Sequence, residues 1–284
     1  MTRRDWLLSA LPMMPPFGGR CLASPGTASA NSGDAAAFDS VSRKLIMQQG
    51  DCRRSGLPGS TLKPFVLAAL LERNLLKQNE RLECPGGFRL GERNLECIHV
   101  RNAGPLDAVE ALAASCNYWF AMMARRLGPD QLLRTLRRVG LSAQRAPSEE
   151  QLCLQALGLA YVSASPWTLA RAYCALLQTR PPAMVLEGMR AAVERGTAQH
   201  ALSERAWIAG KTGTAPNGLP GSSAGWFGGW AIRMDKLGCP AEKASMCLHS
   251  RPGIVFAARI VGGTGGGAAA DLGKEIVERW AQEN

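Results

Sequence analysis

The chain has 284 residues and a formal charge of +10, from 33 basic and 23 acidic side chains, with 46% hydrophobic and 20% charged residues. This enzyme-sized composition excludes a disordered regulator; the glycines follow no collagen-like or solenoid period, and no apolar run reaches the roughly 18 residues needed to span a membrane. Arginine carries most of the positive charge, and no basic run is interleaved with aromatics, so the charge is assigned to solvated faces and nucleic-acid binding is not expected.

Arg3 and Arg4 start a short apolar run, Trp6 to Phe17, broken by Pro12, Pro15 and Pro16, and Ala28-Ser29-Ala30 offers a small-residue cleavage site. The expectation is a twin-arginine-like export leader over 1–30 and a functional domain over 31–284. Losing the leader removes Cys21 and leaves eight of the nine cysteines, an even number consistent with disulfides. Cys84 with Cys97, and Cys239 with Cys247, would each close a short loop. No Cys-x-x-Cys occurs and His99, His200 and His249 are scattered, so neither a metal nor another cofactor is expected.

In chain order, short apolar runs at Ala35 to Phe38 and Lys44 to Met47 predict a β-hairpin. Leu62, Phe65, Val66, Ala69 and Leu70, then Leu75 and Leu76, recur at helical spacing after the tight entry Pro58-Gly59. Pro105 to Gly140 is again helical in period and is split by Gly128-Pro129. Further helices are expected from about Leu152 to Leu159 and from Pro166 to Leu177, the latter capped by Ser165. Trp207 to Ala209, Ala224 to Ile232 and Ile254 to Val261 read as strands, and Glu275 to Ala281 as a closing helix. The expected architecture is α+β: an antiparallel sheet built from both chain ends, flanked by helices, with a mostly helical inserted subdomain over about 72–200.

Three short motifs carry the chemistry. Ser60-Thr61-Leu62-Lys63 puts a hydroxyl and an amine one helical turn apart. A serine becomes a nucleophile when a neighbour takes its proton, and a lysine in an apolar or cationic setting can do so. Ser115-Cys116-Asn117 lies in the second helical stretch, where its simplest reading is a polar patch with Ser115 bonded to a backbone carbonyl. Lys211-Thr212-Gly213, followed by Thr214, opens the late β region; such a strand edge can hold an extended substrate while Lys211 and Thr212 bind a carboxylate.

In this order, Ser-x-x-Lys, Ser-x-Asn and Lys-Thr-Gly resemble the signature of penicillin-binding proteins and class A β-lactamases. Pro58 to Pro64, Cys84-Pro85-Gly86, the Ala111 to Phe120 stretch and Ser165 to Tyr173 look more narrowly like the high-molecular-weight penicillin-binding transpeptidases. So do Met189 with Gly196-Thr197-Ala198, and Gly210 to Ala215 followed by Gly225-Trp226-Phe227. The resemblance runs from about Ala35 to the C-terminus.

It implies an acyl-enzyme at Ser60, formed with the D-Ala-D-Ala end of a peptidoglycan stem peptide or with a β-lactam. Lys63 would be the base, Ser115 a proton relay with Lys211 nearby, and Asn117 the group that orients Lys63 and the substrate amide. Lys211 and Thr212 would meet the substrate carboxylate, Gly213 would admit its backbone, and the N–H groups of Ser60 and Thr214 would form the oxyanion hole. Peptidoglycan stem peptides and β-lactams are the expected ligands, outside the cytoplasm, in the periplasm or at the outer face of the membrane.

Three departures stand out. No room is left for the non-catalytic pedestal that usually precedes such a domain, so a cell-wall partner protein could replace it. Cys116 stands where the signature has Asp, and His99-Val100-Arg101-Asn102 where relatives often have a His-Gly turn. The alternatives are a D,D-carboxypeptidase, a β-lactam sensor that acylates once, and a β-lactamase. The last needs a carboxylate to activate water. Glu149-Glu150-Gln151-Leu152-Cys153 imitates such a loop, but with Cys153 in place of Asn, and both glutamates are read as solvated charges.

Overall fold

The computed structural model describes residues 33–283 apart from 78, 100–103 and 239–251. The twin-arginine run, its cleavage site, Cys21, Cys239 and Cys247 therefore lie outside the described residues. The expected first hairpin is present as β1 (Asp34–Asp39) and β2 (Leu45–Gln49). Three late strands, β7 (Ala206–Pro216), β8 (Ser223–Arg233) and β9 (Ile254–Val261), complete an antiparallel five-stranded sheet in the order β2-β1-β9-β8-β7. The sheet is built from both ends of the chain, as the distribution of strand signals implied, and β7 is an edge.

Alternation along β9 shows why its sequence is apolar from Ile254 to Ala258, before the buried Arg259. Ile254, Phe256 and Ala258 point to one face, against Ile276, Val277 and Trp280 of the closing helix α7 (Ala270–Glu283). Val255 and Ala257 point to the other, into the large core with Leu169, Tyr173 and Leu176 of α5 (Pro166–Gln178). A strand buried on both faces has no polar side to show. Ser165 caps α5 as expected, in a reciprocal capping box with Thr168.

The helical part comprises α1 (Lys63–Glu72), α2 (Ala108–Ala113), α3 (Asn117–Arg138), α4 (Glu149–Ala156) and α6 (Ala183–Arg195). The helix expected to reach Leu76 stops at Glu72, because Asn74 turns left-handed at φ 55°. The long stretch from Pro105 to Gly140 breaks at Gly128 (φ 68°), as foreseen, and also at Ser115, which was not. Two small hairpins complete the described part: β3 (Gly87–Leu90) with β4 (Arg93–Glu96), and β5 (Ser142–Ala143) with β6 (Val162–Ser163).

α1 positions the chemistry. Its residues Lys63 to Leu70 are all buried, so it is a central helix with no solvated stripe. A lysine in its first turn has nowhere wet to place its amine.

Candidate active site

Ser60 lies in a one-turn 3-10 helix (Gly59–Leu62) that feeds α1, half-buried and one turn before Lys63. Backbone-to-backbone contact holds this turn. Gly59 has φ +56°, its N–H bonds Gly158 O at 3.1 Å, and a Cβ there would lie 2.8 Å from Thr214 O. From the opposite side, a Cβ on Gly213 would lie 2.5 Å from Pro58 O and 3.0 Å from Thr61 N. The bare face of Gly213 thus looks onto the serine turn, and strand β7 presses against the Ser60 backbone. Tyr173 Oη donates to Thr61 O at 2.8 Å and anchors the turn from α5.

Ser115 is not within a helix. It is the left-handed residue (φ 54°) that terminates α2: its N–H bonds Leu112 O at 3.2 Å, and Cys116 N–H bonds Ala111 O at 2.9 Å. This paired C-terminal motif normally uses glycine. Cys116 then caps α3, its Sγ accepting from Trp119 N, and Asn117 is the first helical residue. Three consecutive residues so link the two helices, and Ser115 and Asn117 turn polar atoms toward Lys63 of α1.

Lys63 Nζ is the convergence point. It donates to Ser115 O at 2.7 Å, to Ser115 Oγ at 3.2 Å and to Asn117 Oδ1 at 2.8 Å. Asn117 Nδ2 in turn donates to Glu96 O at 2.8 Å, which fixes the amide orientation. Burial pushes the Lys63 ammonium from the usual 10.5 down to about 7, against the opposing pull of the Cys116 and Cys97 thiols. Lys211 is also fully buried and held well below its usual range, first by desolvation and second by the charge of Lys63.

Lys211 Nζ donates to Thr212 O at 3.1 Å, to Thr212 Oγ1 at 3.3 Å and to Thr197 Oγ1 at 3.4 Å, and the two threonine hydroxyls are 2.7 Å apart. Thr197 is carried by the Gly196 turn, whose missing Cβ would lie 2.3 Å from Ala113 O. Thr214 Oγ1 accepts from Gly265 N at 3.1 Å. Ser115 and Asn117 thus meet Lys63 directly, Lys211 and Thr212 form the adjoining polar wall, and Gly213 and Thr214 abut the Ser60 turn. Sequence reasoning quoted Thr197 only as part of a family-like stretch; its hydroxyl was not identified as part of this wall.

No carboxylate hydrogen-bonds Lys63, Ser115, Asn117 or Lys211 among the described residues. Glu149 is exposed at the start of α4 and pairs with Arg125 at 3.1 Å, consistent with a solvated charge. Cys84 and Cys97 are adjacent but not bonded, with sulfurs 3.6 Å apart.

The penicillin-binding protein transpeptidase domain family matches residues 16–236, more than half of the chain. The chain belongs to that family. Its fold is similar to Pseudomonas aeruginosa PBP2 in complex with WCK 5153, with a TM-score of 0.71 and 20% identity over 88% of this chain and 74% of that one. It is likewise similar to the transpeptidase domain of Burkholderia pseudomallei penicillin-binding protein 3, at TM-score 0.73 and 18% identity over 88% of each. In sequence, 84 residues are 30% identical to penicillin-binding protein PbpB of Mycolicibacterium smegmatis, a match that takes in 30% of this chain and only 13% of that protein.

Proposed function

We propose that this chain is a serine D,D-transpeptidase that acts on peptidoglycan through an acyl-enzyme at Ser60. The observation that carries the reading is the buried Lys63 amine. It lies one turn from a serine hydroxyl, is held by Ser115 and Asn117, and has an acidity close to neutral pH. A base poised there is half-deprotonated under physiological conditions, which is where general-base catalysis is most effective.

In the acylation step Lys63 takes the Ser60 Oγ proton as that oxygen attacks the carbonyl of the penultimate D-Ala. The tetrahedral oxyanion is received by the N–H groups of Ser60 and Thr214. Each such donor is worth about 3 to 4 kcal/mol in known cases. Ser115 passes a proton to the departing D-Ala amine as the peptide bond breaks, leaving an ester on Ser60. An acceptor amine then attacks that ester, forming the cross-link and restoring the serine. Lys211, Thr212 and Thr197 supply the donors for the substrate's terminal carboxylate, and the free edge of β7 offers the peptide backbone a strand partner.

The same acyl-enzyme forms with a penicillin. Among the described residues no carboxylate hydrogen-bonds Lys63 to activate a deacylating water, so that adduct is expected to be long-lived, which disfavours the β-lactamase reading. Extracytoplasmic action, with 1–30 as leader and a cell-wall protein as partner, completes the proposal. The test is incubation with a stem pentapeptide and a D-amino acid acceptor. D-Ala release with the acceptor joined to the peptide supports transpeptidation, release with hydrolysis alone indicates a carboxypeptidase, and neither product with folded protein refutes the enzyme.

A further inference from the structure

Beside the acylation machinery, four side chains from three stretches of the chain converge. The β3–β4 hairpin closes at its base, where Cys97 N–H bonds Gly86 O at 2.8 Å, so that Cys84 before the hairpin and Cys97 after it face each other. Cys116, at the cap of α3, brings a third sulfur to 3.8 Å from that of Cys97. One ligand atom from each of Cys84, Cys97, His99 and Cys116 lies within 4.8 Å of all the others, and the three cysteines are buried.

The spacing has a chemical meaning. Sulfurs in a disulfide are about 2.05 Å apart. Sulfurs at the corners of a tetrahedron with metal–sulfur bonds of about 2.3 Å are about 3.8 Å apart. The observed separations of 3.6 and 3.8 Å match the second arrangement.

Each sulfur also receives a backbone N–H: Gly86 N to Cys84 at 3.4 Å, Tyr118 N to Cys97 at 3.5 Å and Trp119 N to Cys116 at 3.4 Å. Gly86 reaches Cys84 because it turns at φ 81°, a conformation that glycine takes without cost. Donors of this kind aim thiolates and stabilise their charge, as outer partners do around bound metals.

We propose that Cys84, Cys97, His99 and Cys116 bind one zinc ion. Three thiolates and an imidazole select zinc over the hard cations, and four protein ligands leave no open position, which makes the site structural rather than catalytic. Binding displaces the thiol protons to solvent and involves no oxidant. The consequence for the enzyme is positional. Cys116 separates Ser115 from Asn117, and Asn117 already bonds Glu96 on β4, so the ion ties the hairpin to the strained turn that presents both residues to Lys63.

The experiment uses the full chain, purified under reducing conditions without chelator. Elemental analysis should find one zinc per chain. Metal-stripped protein titrated with Co2+ should show thiolate charge transfer and the absorption of a tetrahedral ion. Both signals should be lost in the Cys84→Ala/Cys97→Ala double variant and kept in Cys174→Ala, which removes a buried thiol elsewhere. If the double variant fails to fold, the cobalt spectrum of the unaltered chain still decides. Absence of zinc together with no tetrahedral cobalt spectrum overturns the proposal, and so does peptide mapping that finds a Cys84–Cys97 disulfide in a parallel preparation purified without reductant. Metal content and penicillin labelling are read separately, so this proposal can fail while the acylation reading stands, and the reverse.

Discussion

Asn117 grips Lys63 Nζ at 2.8 Å with its amide oxygen while its amide nitrogen holds the backbone of Glu96 at 2.8 Å. The Lys63 amine is thereby aimed by a side chain that is itself locked to a neighbouring hairpin. Asn117→Ala leaves Lys63 only the two oxygens of Ser115. A hydrogen bond to a charged group is worth about 1.5 to 3 kcal/mol, so penicillin acylation should slow by about 10- to 150-fold. Stopped-flow or gel-based labelling rates check this; an unchanged rate removes Asn117 from the mechanism.

The acidity of Lys63 sets a pH profile. Burial lowers its pKa to about 7, so the amine is charged below that value and becomes the neutral base above it. Acylation should therefore rise about tenfold per unit on the acid side and level off above pH 7 to 8. Cys116 and Cys97 are the titratable neighbours that act on Lys63, and the charge of Lys63 acts in turn on Lys211. Lys63→Ala should lose about 100- to 10,000-fold in rate and with it the ascending limb. A flat profile in the unaltered protein contradicts this assignment.

Ser115 occupies a left-handed position that glycine would take freely. Ser115→Gly should raise stability by about 1 kcal/mol through relief of that conformation while removing the hydroxyl proposed as the proton relay. Thermal unfolding and acylation should move in opposite directions. A variant that loses both stability and activity would contradict the reading that Ser115 sits in a conformation better suited to glycine.

Gly213 meets Pro58 O where a Cβ would come within 2.5 Å. Gly213→Ala must push the Lys-Thr-Gly strand away from the Ser60 turn, at a cost of about 1 to 3 kcal/mol. Both the unfolding midpoint and the acylation rate should fall, and a variant with unaltered thermal stability argues against this close contact.

The donors around Lys211 can be tested with Thr212→Val, which keeps shape and removes the hydroxyl that contacts Thr197 Oγ1 at 2.7 Å. If this wall receives the carboxylate, the apparent affinity for penicillin weakens while the limiting acylation rate holds. The opposite split would assign Thr212 to the chemical step.

Much of this was legible in the sequence because it is local. Ser60 and Lys63 are related by one helical turn, the Ser165 cap and Pro166 announced α5, and short apolar runs at both ends of the chain announced the sheet. What escaped depends on distant partners. Ser115 read as helical because its neighbours are, whereas α2 in fact ends there on a residue with no glycine signal. The helix α6 was legible in Val185, Leu186, Met189 and Val193 at helical spacing but was passed over. β7 extends well past Ala209 because pairing with β8 carries it through the whole Lys-Thr-Gly motif. Cys84, Cys97, His99 and Cys116 carry no ligand spacing because a hairpin and a helix cap, not a short loop, bring them together.

The most direct test is covalent. The full chain is incubated with a fluorescent penicillin and digested, and the peptide carrying the adduct is identified by mass spectrometry, with Ser60→Ala in parallel. The expected result is one stable adduct per chain on Ser60, absent from the variant. Labelling that survives Ser60→Ala, or an unlabelled but folded native protein, would contradict the account.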